Sequence, residues 1–215
     1  METTIHSGSL RFSAHGSEIA SSTLRFGEPI AHGRHGAAYH GECQGRAVCL
    51  KAFKPVVFDC VRNPAREELN SLEKARSELG EIASHLQVGL GWANHRYHGP
   101  ILISELVLNY DGTVSRNLAQ ESSVSREFVA SLRSILECFI EKERLFNPVA
   151  PNILVQRTAP DESSPVLIDF ANYERYLHYP LMLFQHSFAP GSKVKRIEAW
   201  VNQTLTLCEA KIGAS

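Results

Sequence analysis

Asn147-Pro148-Val149-Ala150-Pro151-Asn152-Ile153-Leu154-Val155, followed after a polar stretch at residues 158–165 by Val166-Leu167-Ile168-Asp169-Phe170, is the segment whose reading decides the fold. Pro148 and Pro151 stand too close together for a helix to run through them, because each removes an N–H and crowds the preceding turn. The chain therefore passes from a loop into a short apolar strand, turns, and returns as a partner strand with an acid near its end. An asparagine heads one strand and an aspartate closes the other.

Upstream, strand signals begin at Leu24-Arg25-Phe26. A glycine-rich turn, His32-Gly33-Arg34-His35-Gly36, leads through the small residues Ala37 and Ala38 to Tyr39 and His40. Gln44-Gly45 is hairpin chemistry, and Ala47-Val48-Cys49-Leu50-Lys51-Ala52-Phe53 is an apolar run interrupted by one lysine. The order is strand, glycine turn, strand, turn, strand. Pro64 opens a helical stretch reaching about Leu86, with Leu69, Leu72, Ala75, Leu79, Ile82 and Leu86 on one stripe and Gly89 and Gly91 as its stop. A strand is expected at residues 101–108, and Asn109-Tyr110-Asp111-Gly112 is a turn. From Ser125 to about residue 143, Phe128, Leu132, Ile135, Leu136 and Phe139 define a second helix. The chain beyond residue 170 reads as mainly helical to about Ile212.

Composition removes several classes of function. The 215 residues are 43% hydrophobic, enough for a real core, and carry a formal net charge of -1. Nothing in that balance calls for nucleic acid or an anionic membrane as partner; the run Lys193, Lys195 and Arg196 reads as a solvated helix face. Five cysteines (Cys43, Cys49, Cys60, Cys138 and Cys208) with no C-x-x-C spacing argue against a disulfide framework or structural zinc and for a reducing cytosol. Ten histidines show no metal-ligand spacing, and no run of about 18 apolar residues suggests a membrane span. Residues 1–22, rich in Ser, Thr, Gly and His, read as a flexible lead; the same composition suits the secretion address of a bacterial effector acting in a host cytosol.

Each motif has an ordinary reading by itself: a hairpin, a snorkelling lysine, a turn asparagine, a capping aspartate. Their order is what carries meaning. Gly36 precedes the strand lysine Lys51 by fifteen residues. A helix with central glutamates follows, then the Pro-Asn-Ile-Leu-Val loop and strand, then Ile168-Asp169-Phe170. This resembles the order of parts in protein kinases. Ala31-His32-Gly33-Arg34-His35-Gly36-Ala37-Ala38 resembles the glycine loop, with Ala31 at the usual first glycine. Val48-Cys49-Leu50-Lys51 resembles the V-A-I-K strand. Leu145-Phe146-Asn147 with Pro148-Val149-Ala150-Pro151-Asn152 aligns with the catalytic loop, and Asp169-Phe170-Ala171 with D-F-G. Gly33-Arg34-His35, Tyr39, Arg96-Tyr97-His98-Gly99 and Pro151-Asn152-Ile153-Leu154 further resemble the bacterial YrbL family, named for the PhoP regulatory network, over residues 24 to 185.

The resemblance implies a minimal two-lobed α+β fold: an antiparallel N-lobe sheet with the glutamate helix over residues 23–108, and a truncated, helical C-lobe over 109–215. It implies ATP and Mg²⁺ as cofactors. Gly33, Arg34, His35, Gly36, Lys51 and Asn152 are the expected ATP-binding residues, Asn152 and Asp169 the expected metal ligands. Lys51, Glu78, Asn147 and Asp169 form the expected catalytic set. Glu78 is preferred as the partner of Lys51 because Ile82 and Leu86 follow it at four-residue steps; Glu81 is the alternative, and Glu73 lies early. Two departures shape the functional expectation. Asn147 stands where kinases place the aspartate that accepts the substrate proton, and an amide is no base at pH 7. Only 46 residues follow Asp169, with no A-P-E sequence. The expected activity is an atypical, cytoplasmic ATP-dependent phosphotransferase acting on a protein Ser/Thr or another hydroxyl; the alternative is a nucleotide-binding pseudokinase that regulates a protein partner without transfer.

Overall fold

The computed structural model describes residues 17–33, 36–54, 63–142, 144, 149–171, 173 and 190–212, with the side chains of 190–197 and 200 left aside. Within these residues the chain is α+β. Five strands, β1 (Leu24–His32), β2 (Gly36–Cys43), β3 (Arg46–Phe53), β4 (Gly89–His95) and β5 (Gly99–Glu105), form an antiparallel sheet in the order β1-β2-β3-β5-β4. A smaller antiparallel sheet pairs β6 (Arg116–Asn117), β7 (Ile153–Ala159) and β8 (Glu162–Leu167). Three helices accompany them: α1 (Pro64–Glu78), α2 (Arg126–Glu141) and α3 (Pro190–Ala210).

Local chemistry accounts for these elements. Gln44 and Gly45 both take positive φ (53° and 79°), the pair of left-handed residues a two-residue hairpin with matching strand twist needs. Helix α1 starts where the Asn63 side chain accepts hydrogen bonds from the Ala65 and Arg66 amides, with Pro64 at the first helical position. It ends earlier than the apolar stripe suggests. Gly80, with φ 57°, turns the chain into a 3-10 segment at Gly80–His85, where Arg76 Nη1 donates to the carbonyls of Ala83 and Leu86. Gly89 and Gly91, expected to stop that helix, lie in β4; a Cβ there would meet Leu69 at 2.3 Å and Ile19 at 2.6 Å. Strand β4 gave no recognisable pattern because its two glycines interrupt any alternation.

The flexible lead expected at residues 1–22 is not seen over its last six residues. Residues 1–16 lie outside the described residues, but from Ser17 the chain is packed: Glu18 bridges to Trp92, the Ile19 amide donates to the Trp92 carbonyl at 2.8 Å, and Ile19 is buried. The expected strand at 166–170 also shifts, with β8 ending at Leu167 and Asp169 two residues beyond it.

Strand alternation sorts β3. Val48, Leu50 and Ala52 point into a core with Leu24, Ile101 and Ile103, while Cys49, Lys51 and Phe53 face the other side, where α1 lies. There Phe53, Ala65, Leu69 and Leu102 pack together. The same helix continues into a larger core, where Leu72, Ala75 and Leu79 meet α2, β7, β8 and residues Val201, Leu205 and Cys208 of α3. Each fully buried leucine contributes about 2 kcal/mol of transfer free energy. Helix α1 thus crosses from one core to the other, and the two sheets meet where Leu86 bridges to Leu167 and the Gln87 amide donates to the Leu167 carbonyl.

Candidate functional site

A cleft of about 180 Å³ opens between the two sheets, lined on one side by Ala31, Gly33, Gly36, Cys49 and Lys51 and on the other by Asn152, Ile168 and Asp169. Its first wall comes from the β1–β2 turn, which the Gly33 amide closes by donating to the Gly36 carbonyl at 2.8 Å. Small residues here leave backbone near the cavity. Gly36 has a further reason to be glycine: a Cβ would sit 2.1 Å from the Ala52 carbonyl oxygen on β3. At Gly33 a Cβ would meet only ordinary contact, 3.7 Å from Gly36 oxygen.

Lys51 is central. Its ammonium donates to both carboxylate oxygens of Glu68, at 2.8 and 2.7 Å, and to Asp169 Oδ1 at 3.0 Å. It also lies 5.1 Å from the Phe53 ring centre. Glu68 is 2% exposed, Lys51 23% and Asp169 38%. Burial alone would push the lysine pKa down; attraction to Glu68, then to Asp169, outweighs it and holds the pKa above the usual lysine value. The ammonium is therefore fixed in its charged form.

The partner of Lys51 is thus Glu68, which corrects the expected Glu78 and its alternative Glu81. Lys51 pairs with Leu102 near the middle of the sheet, and Leu102 packs against Ala65 and Leu69, the first half of α1. Glu68 lies three residues after Ala65 and four before Leu72, so it borders the buried stripe at that height. Glu78 is the last residue of α1 and bonds elsewhere, to Arg144 and Tyr173. Glu81 lies in the 3-10 segment beyond Gly80. The signal available in the sequence was an acid inside an apolar stripe. Running the helix on to Leu86 hid it, because that moved the apparent centre of α1 toward Glu78.

Asn152 and Asp169 sit at the same open end of the β7–β8 hairpin, one just before β7 and one just after β8, and the Ile168 amide donates to the Asn152 carbonyl at 2.9 Å. Asp169 adopts φ 65°, a left-handed conformation rare for a residue with a side chain and costing about 1 kcal/mol, which aims its carboxylate across the cleft at Lys51. Phe170 is buried behind it. Of the other expected site residues, Gly33 and Gly36 line the cleft, whereas Arg34, His35 and Asn147 lie outside the described residues.

The inner wall, otherwise largely apolar, carries one polar pair. Gln87 Nε2 donates to Ser104 Oγ at 2.8 Å, beside Cys49. Burial pushes the Cys49 thiol pKa up, against a hydrogen bond with Ser104 and the charge of Lys51, which favours the protonated thiol. The cleft brings one ammonium and two carboxylates together beside Asn152, so a multiply charged anion would enter with a cation, or displace Asp169 from Lys51, whose three N–H groups are taken. Among the described residues no cluster of three or more His, Cys, Asp or Glu side chains forms a metal cage, and no helix is long and apolar enough to cross a membrane. No protein-family model matches this chain, and no curated protein matches it significantly.

Proposed function

We propose that the chain is a nucleotide-binding protein of a minimal, two-lobed protein-kinase-like fold, related to the YrbL family, and that it acts as an atypical ATP-dependent phosphotransferase. One observation carries this reading: the Lys51 ammonium is gripped by a buried helix carboxylate and faces a left-handed aspartate across a cleft roofed by a glycine turn. A charged lysine beside small backbone residues suits the polyphosphate of ATP, and a divalent cation would offset the two carboxylates that hold that lysine. Asn152 and Asp169 fit Mg²⁺, which takes hard oxygen ligands, keeps waters, and fills its remaining positions with phosphate oxygens. When bound, the ion neutralises the charge that builds on the phosphates. Glu68 keeps Lys51 aimed at the phosphates, and the left-handed turn keeps the Asp169 carboxylate facing them.

A second reading has its own observation. In sequence Asn147 aligns with the catalytic-loop aspartate of kinases, so on this reading proton removal from an acceptor hydroxyl lacks its usual side chain. Phosphoryl transfer depends mostly on positioning and charge neutralisation, so slow transfer survives that loss; a nucleotide-binding regulator without transfer is the form the same cleft takes if it does not. Incubation of the pure protein with ATP, Mg²⁺ and candidate protein acceptors, read by intact mass, separates them. Magnesium-dependent addition of phosphate by wild type and not by Asp169→Ala establishes the enzyme. Binding of ATP without addition establishes the regulator, and neither binding nor addition rejects both.

A further inference from the structure

Helix α1 carries a second carboxylate that is bound outside the cleft. Glu78 lies ten residues after Glu68, about 15 Å along the helix axis. The Tyr173 hydroxyl donates to Glu78 Oε2 at 2.7 Å and Arg144 Nη2 donates to Oε1 at 3.2 Å, with Lys74 Nζ 3.9 Å away one turn earlier. Tyr173 stands four residues beyond Asp169, is 3% exposed, and its ring packs with those of Phe139 and Phe170. Its amide donates to the Phe170 carbonyl, closing the turn that follows Asp169. Arg144 lies just beyond the end of α2. The C-terminal end of α1 is therefore held by the segment that bears Asp169 and by the chain leaving α2.

We propose that Glu78 is a positioning residue for the cleft: it anchors α1 to the Asp169 segment, so that Glu68 on the same helix keeps Lys51 within reach of Asp169. A helix transmits such an anchor along its length. With that tie cut, a slide of α1 along its axis by one residue's rise, about 1.5 Å, would carry Glu68 the same distance and take its bonds to Lys51 out of hydrogen-bond range. Tyr173 is the buried half of the anchor; Arg144 is partly exposed and contributes less. The significance of this tie for ligand binding rests on the nucleotide reading above, whereas its effect on Lys51 rests on geometry alone.

The test reads the two separately. Pulse acylation of the ligand-free protein, followed by peptide mass spectrometry, gives the reactivity of Lys51; calorimetry with ATP and Mg²⁺ gives affinity. Glu78→Ala raises the Lys51 acylation rate about fivefold, and Tyr173→Phe, which keeps the ring, raises it about twofold. Glu78→Gln, which keeps an acceptor for the phenol, stays near wild type. Val201→Ala, which loosens the large core away from the cleft, lowers the melting temperature but leaves the Lys51 rate unchanged. Equal Lys51 rates in Glu78→Ala and wild type, or an equal rise in Val201→Ala, overturn the proposal. If Glu78→Ala does not fold, Tyr173→Phe against Glu78→Gln decides it by the same readout. Absence of ATP binding by wild type rejects the nucleotide reading and leaves the Lys51 comparison to decide the anchor.

Discussion

At the residue scale, Lys51 joins three elements that are distant in sequence. The carboxylate of Glu68 is nearly inaccessible, and Lys51 holds it with two short hydrogen bonds. Replacing the lysine by methionine removes the ammonium from a buried carboxylate, and such losses cost about 3 kcal/mol. Lys51→Met should therefore unfold at a markedly lower urea midpoint, and Lys51→Met/Glu68→Leu should recover more than half of the loss; equal midpoints for the single and double variants would show that the pair does not matter. The pH dependence has a definite sign. The folded-state pKa of Lys51 is raised, so its stabilisation is complete below the ordinary value of 10.5 and disappears as pH rises through the higher folded value. Urea midpoints of wild type and Lys51→Met should keep a constant gap from pH 7 to 10 and converge above that. That Lys51 and Asp169 belong to one cleft was legible because each combines a charge with an apolar strand context. Glu68 was not, because choosing among the many glutamates of α1 requires knowing where the helix crosses the sheet.

At the element scale, the glycine turn separates two demands that the sequence presents as one. Gly36 is needed for the β2–β3 approach, since a Cβ would strike the Ala52 carbonyl at 2.1 Å. Gly33 has room. Gly33→Ala should keep its melting temperature within about 2 °C of wild type while weakening ATP binding, whereas Gly36→Ala should lose about 5 °C or more. Thermal unfolding checks the first part and calorimetry the second. The hairpin at Gln44-Gly45, the helix at Ser125 and the β7–β8 pair were all readable, because turn chemistry, a cap and apolar periodicity agree there. The stop at Gly80 was not: apolar spacing persists through Ile82 and Leu86, because the 3-10 segment packs against the same core as the helix. Periodicity reports burial, and burial does not distinguish a helix from the turn that follows it.

At the scale of the whole molecule, α1 contributes to two cores, the one between it and the five-stranded sheet and the large one beyond it. Leu69 packs under the five-stranded sheet and Leu72 packs with α2, β7 and β8. Leu69→Ala and Leu72→Ala should each cost about 3 kcal/mol. Both should lower a single cooperative transition, because the helix couples the cores; two separate transitions in either variant would show independent halves. The α+β class and strands β1, β2, β3 and β5 followed from pattern, but β4 did not; nor did the meeting of the sheets at Leu86 and Leu167, which creates the cleft, since no local signal records a contact between such distant residues. The cleft's proposed ligand supplies the most direct test. The melting temperature of wild type and Asp169→Ala is measured with ATP, with and without Mg²⁺. Ligand at about a hundred times its dissociation constant should raise wild type by about 5 °C or more, only when Mg²⁺ is present, and leave Asp169→Ala unmoved. No rise in wild type at millimolar ATP and Mg²⁺, or an equal rise in Asp169→Ala, would contradict the account.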